Sequence, residues 1–252
     1  MQQKTRASGR MHLEKYMNTS VPNIHAFTPQ VIEERQMNVV GMDVFSRLMM
    51  DRIIFLGVPI NDYVANVIQA QLLFLESADS SRDVQMFINS PGGSVIPGLG
   101  IYDTMQYIAP EVSLCCTGLA ASMGAVLMAT GAKGKRTALQ HSRIMIHQPM
   151  GGMEGQVSDM EISYNLIKEL QTELYDILAL HTGKDFDTIK ADCDRDKWMK
   201  ADEAYEYGLV DEVIKINKDL TTKEVKNRSI TNGKTGIKML LLRQTKKVRL
   251  YY

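Results

Sequence analysis

The sequence predicts an α/β domain with a largely parallel sheet, on three observations. Short runs of branched and apolar residues alternate with stretches of helical period. The turns between them gather glycine, proline and asparagine. The helical stretches are long enough to carry the chain back across a sheet, which is what parallel pairing of successive strands requires. Apolar content of 44% and charged content of 23% are ordinary globular values. At 252 residues the chain can bury a core without a disulfide or metal staple.

Residues up to about Gln36 are polar, contain Pro22 and Pro29, and show no sustained period, so they are expected to form a flexible leader or arm. Asp43 to Met50 has the pattern of a short helix, and Arg52 to Gly57 that of a buried strand. Asn61 is placed to cap a helix from Asp62 to Ser77, with apolar positions at Val64, Ile68, Leu72 and Leu73. Val84 to Ile88 is a second strand, broken by Asn89-Ser90-Pro91-Gly92-Gly93. A helix from about Ile96 to Ile108 and a strand from Val112 to Thr117 follow. After Gly118 come a helix of small residues from about Ser122 to Ala129 and short strands near Lys135 to Ala138 and Arg143 to His147. The longest periodic segment runs from Val157 to about His181. Its stripe is Ile162, Leu166, Leu170, Leu174, Ile177 and Leu178, and Gly183 supplies the stop.

The balance of charge is zero overall, so no global field favours nucleic acid or an anionic membrane. That total conceals a basic tail after Ile214, where lysines and arginines from Lys215 to Arg249 meet only Asp219 and Glu224. A nucleic-acid or partner-binding extension would have this composition, but so would a solvated, poorly ordered terminus, which is the expectation here. Three cysteines, two of them adjacent, form neither a disulfide framework nor a metal-ligand spacing, which suits a reducing compartment. No apolar run approaches the ~18 residues of a membrane span. No apolar stretch follows the polar, basic N-terminus, so no secretory signal is expected and a cytoplasmic, soluble protein is.

Three segments could do chemistry. In Gly118-Leu119-Ala120-Ala121-Ser122-Met123-Gly124, tiny residues crowd a serine at a strand-to-helix turn. Such a turn can present Oγ at a helix start, where free backbone N–H groups favour developing negative charge. Ser122 as a plain N-cap is the alternative. Gly92 and Gly93 allow close approach of backbone to a ligand, or simply a turn. His147 ends an apolar strand and could be a base or a satisfied rim residue, whereas His12, His25, His141 and His181 lie in less suitable surroundings. Asp192, Asp194 and Asp196 are all candidates for an orienting acid, and spacing does not choose among them.

Together these segments resemble the Clp protease proteolytic subunit family. The resemblance is carried by Phe87-Ile88-Asn89-Ser90-Pro91-Gly92-Gly93, Ile101 to Gln106, Ala120-Ala121-Ser122-Met123-Gly124-Ala125, Gly131 to Arg136, Met145-Ile146-His147-Gln148-Pro149, Ala179 to Gly183 and Glu203 to Val213. It spans about Val31 to Ile216 without an evident gap. It implies a crotonase-like α/β superfold with a protruding helical handle. It also implies a serine endopeptidase with Ser122 as nucleophile, His147 as base and Asp196 as acid, the backbone N–H groups of Gly93 and Met123 forming the oxyanion hole, and no metal or organic cofactor. The domain implied is residues 29–216, with a leader or propeptide over 1–28, cut near His25 to Pro29, and the basic extension over 217–252. Two stacked seven-membered rings of identical subunits are implied, meeting through Gln148 to Gly155 and the long helix, with Gln148 and Arg195 as ring contacts. A hexameric Clp ATPase would dock near Phe87 and Tyr107 and deliver unfolded protein substrates, and Val31 to Val40 would contribute to the axial pore loops. A catalytically silent ring subunit would lack the serine or histidine. A coenzyme A-binding hydratase of the same fold would use paired carboxylates instead.

Overall fold

The structure, a computed structural model, describes residues 30–35 and 38–215, with side chains from Met42 onward. The leader and the basic extension expected at the two ends lie outside the described residues. The described chain falls into two units. Residues up to Arg47 belong to one and the body from Leu48 to the other. In the first, β1 (Gln30–Arg35) pairs antiparallel with β2 (Asn38–Asp43), so the segment expected to be irregular up to Gln36 carries a strand. The expectation failed because polar residues alternate there with only a few apolar ones, which leaves no readable period. Helix α1 (Val44–Met50) follows directly.

The body is built on a seven-stranded sheet in the order β3 (Ile53–Leu56), β4 (Val84–Ser90), β5 (Val112–Ala121), β6 (Arg136–Leu139), β9 (Glu212–Ile214). All neighbours on that path are parallel. Strand β7 (Arg143–Ile146) also runs parallel to β5, and β8 (Lys197–Lys200) pairs antiparallel with β7. The α/β expectation with a largely parallel sheet therefore holds.

Strand β5 is longer than its apolar run suggested, because it continues through Gly118 to Ala121. It uses that length to serve two partners. Leu114 to Cys116 pair with β6, and Leu119 to Ala121 pair with β7. Where the partner changes, the buried Ser142 fills the gap and donates its hydroxyl to the Cys116 carbonyl at 2.8 Å. The cost of an unpaired buried carbonyl is thereby avoided.

Helix α2 (Asp62–Ala78) begins at Asn61, whose side chain accepts from the Val64 N–H at 2.9 Å, as a cap of that type should. Its buried stripe is Ala65, Ile68, Leu72 and Leu75, while Leu73 faces outward. Helix α3 (Val95–Tyr107) leads into β5. Helix α4 (Met123–Ala129) is buried at every position, in keeping with its uniformly apolar composition. Helix α5 (Val157–Thr182) ends at Gly183 in the left-handed conformation, φ 75°. Only its last part is buried, at Leu174, Tyr175, Ile177 and Leu178, whereas Ile162 and Leu166 are exposed. Helices α6 (Phe186–Asp192) and α7 (Ala201–Tyr207) complete the body.

Candidate active site

Three strand ends meet at one rim of the sheet. Ser122 directly follows β5, His147 directly follows β7, and Asp196 directly precedes β8. The registers make them neighbours. Ala121 of β5 stands beside Met145 of β7, and the Ser122 N–H donates to the Met145 carbonyl at 2.8 Å. Ile146 pairs with Lys197 across the antiparallel β7–β8 ladder, so the next residues outward are His147 on one strand and Asp196 on the other.

The side chains join accordingly. His147 Nδ1 lies 3.0 Å from Asp196 Oδ1, and His147 Nε2 lies 2.8 Å from Ser122 Oγ. A carboxylate only accepts, so Nδ1 carries the proton it donates to Asp196. Neutral Nε2 is then an acceptor, and the Ser122 hydroxyl donates to it. The His147 side chain is 7% exposed and that of Asp196 44%. Of the three aspartates that spacing leaves open, the register brings Asp196 to His147. Asp192 is engaged by Lys197 and Tyr207, and Asp194 projects beside Arg195.

Ser122 has φ 54° and ψ −126°, a conformation that L-residues rarely adopt. It makes no side-chain cap bond to α4, which sets aside the plain N-cap alternative. Strain of this kind persists only where the surroundings over-determine it. Here the Asn89-to-Gly93 segment presses against the turn. A Cβ on Gly92 would come within 2.5 Å of the Ala121 carbonyl oxygen, 2.8 Å of Ser122 Cβ and 2.9 Å of the Met123 nitrogen. A Cβ on Gly93 would lie 2.2 Å from the Ile60 carbonyl oxygen. The bridge to Ile60 uses the Gly92 carbonyl and the Ser94 N–H, at 2.8 and 2.9 Å, and leaves the Gly93 N–H out of it. Asn89, which sequence reasoning did not single out, accepts from the Leu119 N–H at 3.1 Å and ties the glycine segment to β5.

A cavity of about 20 Å³ adjoins Ser122 and His147, walled by Val95, Val126, Pro149, Leu174, Tyr175 and Leu178. Its mostly apolar walls lower the local dielectric on that side of the imidazole. The larger clefts lie elsewhere, among them one of about 770 Å³ beside Arg136 and His181. No rival nucleophile competes among the cysteines. All three are free and buried, and burial, with the charge of Asp192, pushes the Cys193 thiol up to about 12. His181 stands apart from the rim, with burial and the nearby Arg136 charge holding it below its ordinary value. Among the described residues no group of three or more His, Cys, Asp or Glu could hold a metal ion. No helix among them is long and apolar enough to cross a membrane.

The remaining expected positions are dispersed. Phe87 is half-buried on β4 and stacks on Phe55, with centroids 6.1 Å apart. Tyr107, the last residue of α3, is 79% exposed. Arg195 is exposed, with a 3.2 Å bond to the Asp194 carbonyl. Gln148 turns inward, donating from Nε2 to the Asp194 carbonyl at 2.8 Å and accepting at Oε1 from Gln171 at 3.2 Å. Sequence reasoning overlooked Gln171 and Tyr175. The available signal was a glutamine lying on the apolar stripe of α5, three residues before Leu174 and seven before Leu178.

A family model described as Clp protease matches residues 35–217. A Bacteroides fragilis protein described as ATP-dependent Clp protease proteolytic subunit is 62% identical over 186 residues, covering 74% of this chain and 90% of that protein. One with the same description from Porphyromonas gingivalis is 60% identical over 191 residues, covering 76% and 86%. ATP-dependent Clp protease proteolytic subunit 1 of Salinibacter ruber is 54% identical over 186 residues, covering 74% and 80%.

Proposed function

The chain belongs to the Clp protease family and is a serine peptidase, and from that premise we propose that Ser122, His147 and Asp196 are its catalytic triad. The observation that carries this reading is the continuous chain of two hydrogen bonds, 2.8 and 3.0 Å, from hydroxyl through imidazole to carboxylate. Ser122 Oγ attacks the scissile carbonyl while His147 Nε2 takes its proton, and Asp196 holds the tautomer and stabilises the imidazolium. The backbone N–H groups of Gly93 and Met123 receive the oxyanion. His147 then gives the proton to the leaving amine, and water repeats the sequence on the acyl-enzyme. This chemistry needs no metal or organic cofactor.

The same reading extends to assembly. Two seven-membered rings of this chain stack through α5 and the segment before it, enclosing the triads in a chamber. Support comes from the exposed apolar side chains there, Met150, Met153, Val157, Ile162 and Leu166. Such a row on a lone protomer marks an interaction surface. Arg195, exposed beside the acid, takes part in ring contact, while Gln148 contributes through the segment it anchors. A hexameric Clp ATPase docks near Phe87 and Tyr107 and feeds in unfolded protein, in keeping with the ATP-dependence named for the relatives. The protein works in the cytoplasm.

Treatment with a fluorophosphonate probe tests the core of the proposal. We expect labelling on a serine, and its loss together with peptidase activity in Ser122→Ala at unchanged assembly size. Persistent labelling of that variant would remove the assignment. Native mass spectrometry reads the ring number directly.

A further inference from the structure

We infer that Gln171, on the long helix α5, is a positioning residue that aligns His147 with Asp196 through Gln148. The inference rests on the triad proposed above and adds a residue outside it. Three side chains and one carbonyl form a line: Lys168 Nζ donates to Gln171 Oε1 at 3.2 Å, Gln171 Nε2 to Gln148 Oε1 at 3.2 Å, and Gln148 Nε2 to the Asp194 carbonyl at 2.8 Å. Gln171 Nε2 also donates to the Tyr175 hydroxyl at 3.2 Å. The polarity of this line is fixed at both ends. An ammonium only donates and a backbone carbonyl only accepts, so neither amide can flip without placing like groups against each other.

Both roots of the catalytic pair are held by it. Gln148 is the residue after His147, and its own N–H donates to the Cys193 carbonyl at 2.6 Å. Its side chain grips the next carbonyl, that of Asp194, two residues before Asp196. Gln148 thus sets the separation of the two strand exits, and Gln171 sets the rotamer of Gln148. Tyr175, one helical turn beyond Gln171, is buried and forms part of the wall beside Ser122 and His147. A displacement of α5 along its axis would reach the base, the acid and the cavity wall through one amide.

Two substitutions of Gln171 separate donation from packing. Gln171→Glu keeps length and shape, still accepts from Lys168 and can accept from Tyr175, but offers Gln148 no donor. Gln171→Leu removes both functions. Loss of a single neutral hydrogen bond that orients the base is expected to lower kcat roughly fivefold to tenfold with little change in KM. The fluorophosphonate labelling rate of Ser122 should fall in parallel, at unchanged assembly size. We expect both variants to show this fall. Wild-type kcat in Gln171→Glu with a loss only in Gln171→Leu would mean that the site needs bulk alone, and would overturn the inference. A fall that tracks a smaller assembly size, or one in KM alone, would overturn it too. If wild-type labelling does not depend on Ser122, the triad reading itself fails, a result distinguishable from any of these.

Discussion

At the start of β5, where β6 lies alongside, the Arg136 guanidinium makes four hydrogen bonds. Nε and Nη2 bond the Asp211 carboxylate at 2.8 and 2.5 Å, and Nη1 reaches the carbonyls of Ala129 and His181 at 2.9 and 3.0 Å. Asp211 also accepts from the N–H groups of Gly134 and Arg136. At the far end of the same strand, Ser122 is held at φ 54° and the Gly93 N–H is left out of its neighbouring bridge. One end pairs its charged groups with one another and with carbonyls, and the other keeps a strained serine and an N–H left out of the neighbouring bridge, as the proposed site requires. The difference teaches that stability and reactivity are separated along a single ten-residue strand.

Three comparisons would break or sharpen that contrast. The largest effect is expected at the reactive end, where Asp196→Asn should lower kcat/KM by roughly 10⁴-fold by presenting the wrong tautomer of His147, with folding stability little changed. Steady-state peptidase kinetics and a denaturation curve on the same protein check both halves. Near-normal rates would transfer the acid role to Asp192 or Asp194.

Next in size, Asp211→Asn should destabilise the fold by about 3 kcal/mol, since it leaves a buried guanidinium without its counter-charge. Burial pushes the Asp211 carboxyl up, but the bonds from Arg136 and Gly134 outweigh it and hold it below its ordinary 3.8. A depressed carboxylate contributes stability that is present above 3.8 and is lost as pH falls through the lower folded value. The variant should therefore lose the corresponding part of the acid limb in a plot of urea midpoint against pH. Labelling of Ser122 in the folded fraction should be unaffected, and a loss there would erase the separation of the two ends.

The smallest effect sharpens the strain argument. Ser122→Gly and Ser122→Ala both remove the proposed nucleophile, but only glycine relieves the positive φ. The glycine variant should be more stable than the alanine variant by about 0.5–1 kcal/mol, after the greater freedom of glycine in the unfolded chain is offset. Equal urea midpoints would mean that the turn is unstrained.

Much of this architecture was legible before any coordinates. Asn61 announced α2, Gly183 closed α5, and the residues after Ser122 signalled a short helix. Long, periodic segments carry enough repeats for one face to declare itself. The pieces that escaped were short. β8 has four residues, two apolar side chains between two lysines, α6 and α7 have seven each, and β9 has three. None fills two helical turns or a clear alternation, so tertiary contacts decide them. The same limit governed the site. The serine and histidine carried local signatures, a crowded turn and a strand end. The proposed acid carried none, because what distinguishes Asp196 from Asp192 and Asp194 is the pairing of Ile146 with Lys197. Residue similarity to a known family supplied that choice in advance, but local physics could not. Gln171 was hidden for a further reason, since its role depends on which way two amides point.

The β7–β8 ladder is the antiparallel exception in the main sheet, and it closes a long excursion of chain. His147 and Asp196, 49 residues apart in sequence, stand at the two roots of that excursion, and most of α5 projects between them. Anything that leans on the tip of such a lever loads both roots at once and in opposite chain directions. The bond between imidazole and carboxylate is therefore the natural gauge of mechanical strain applied far from it, without any separate messenger in the fold.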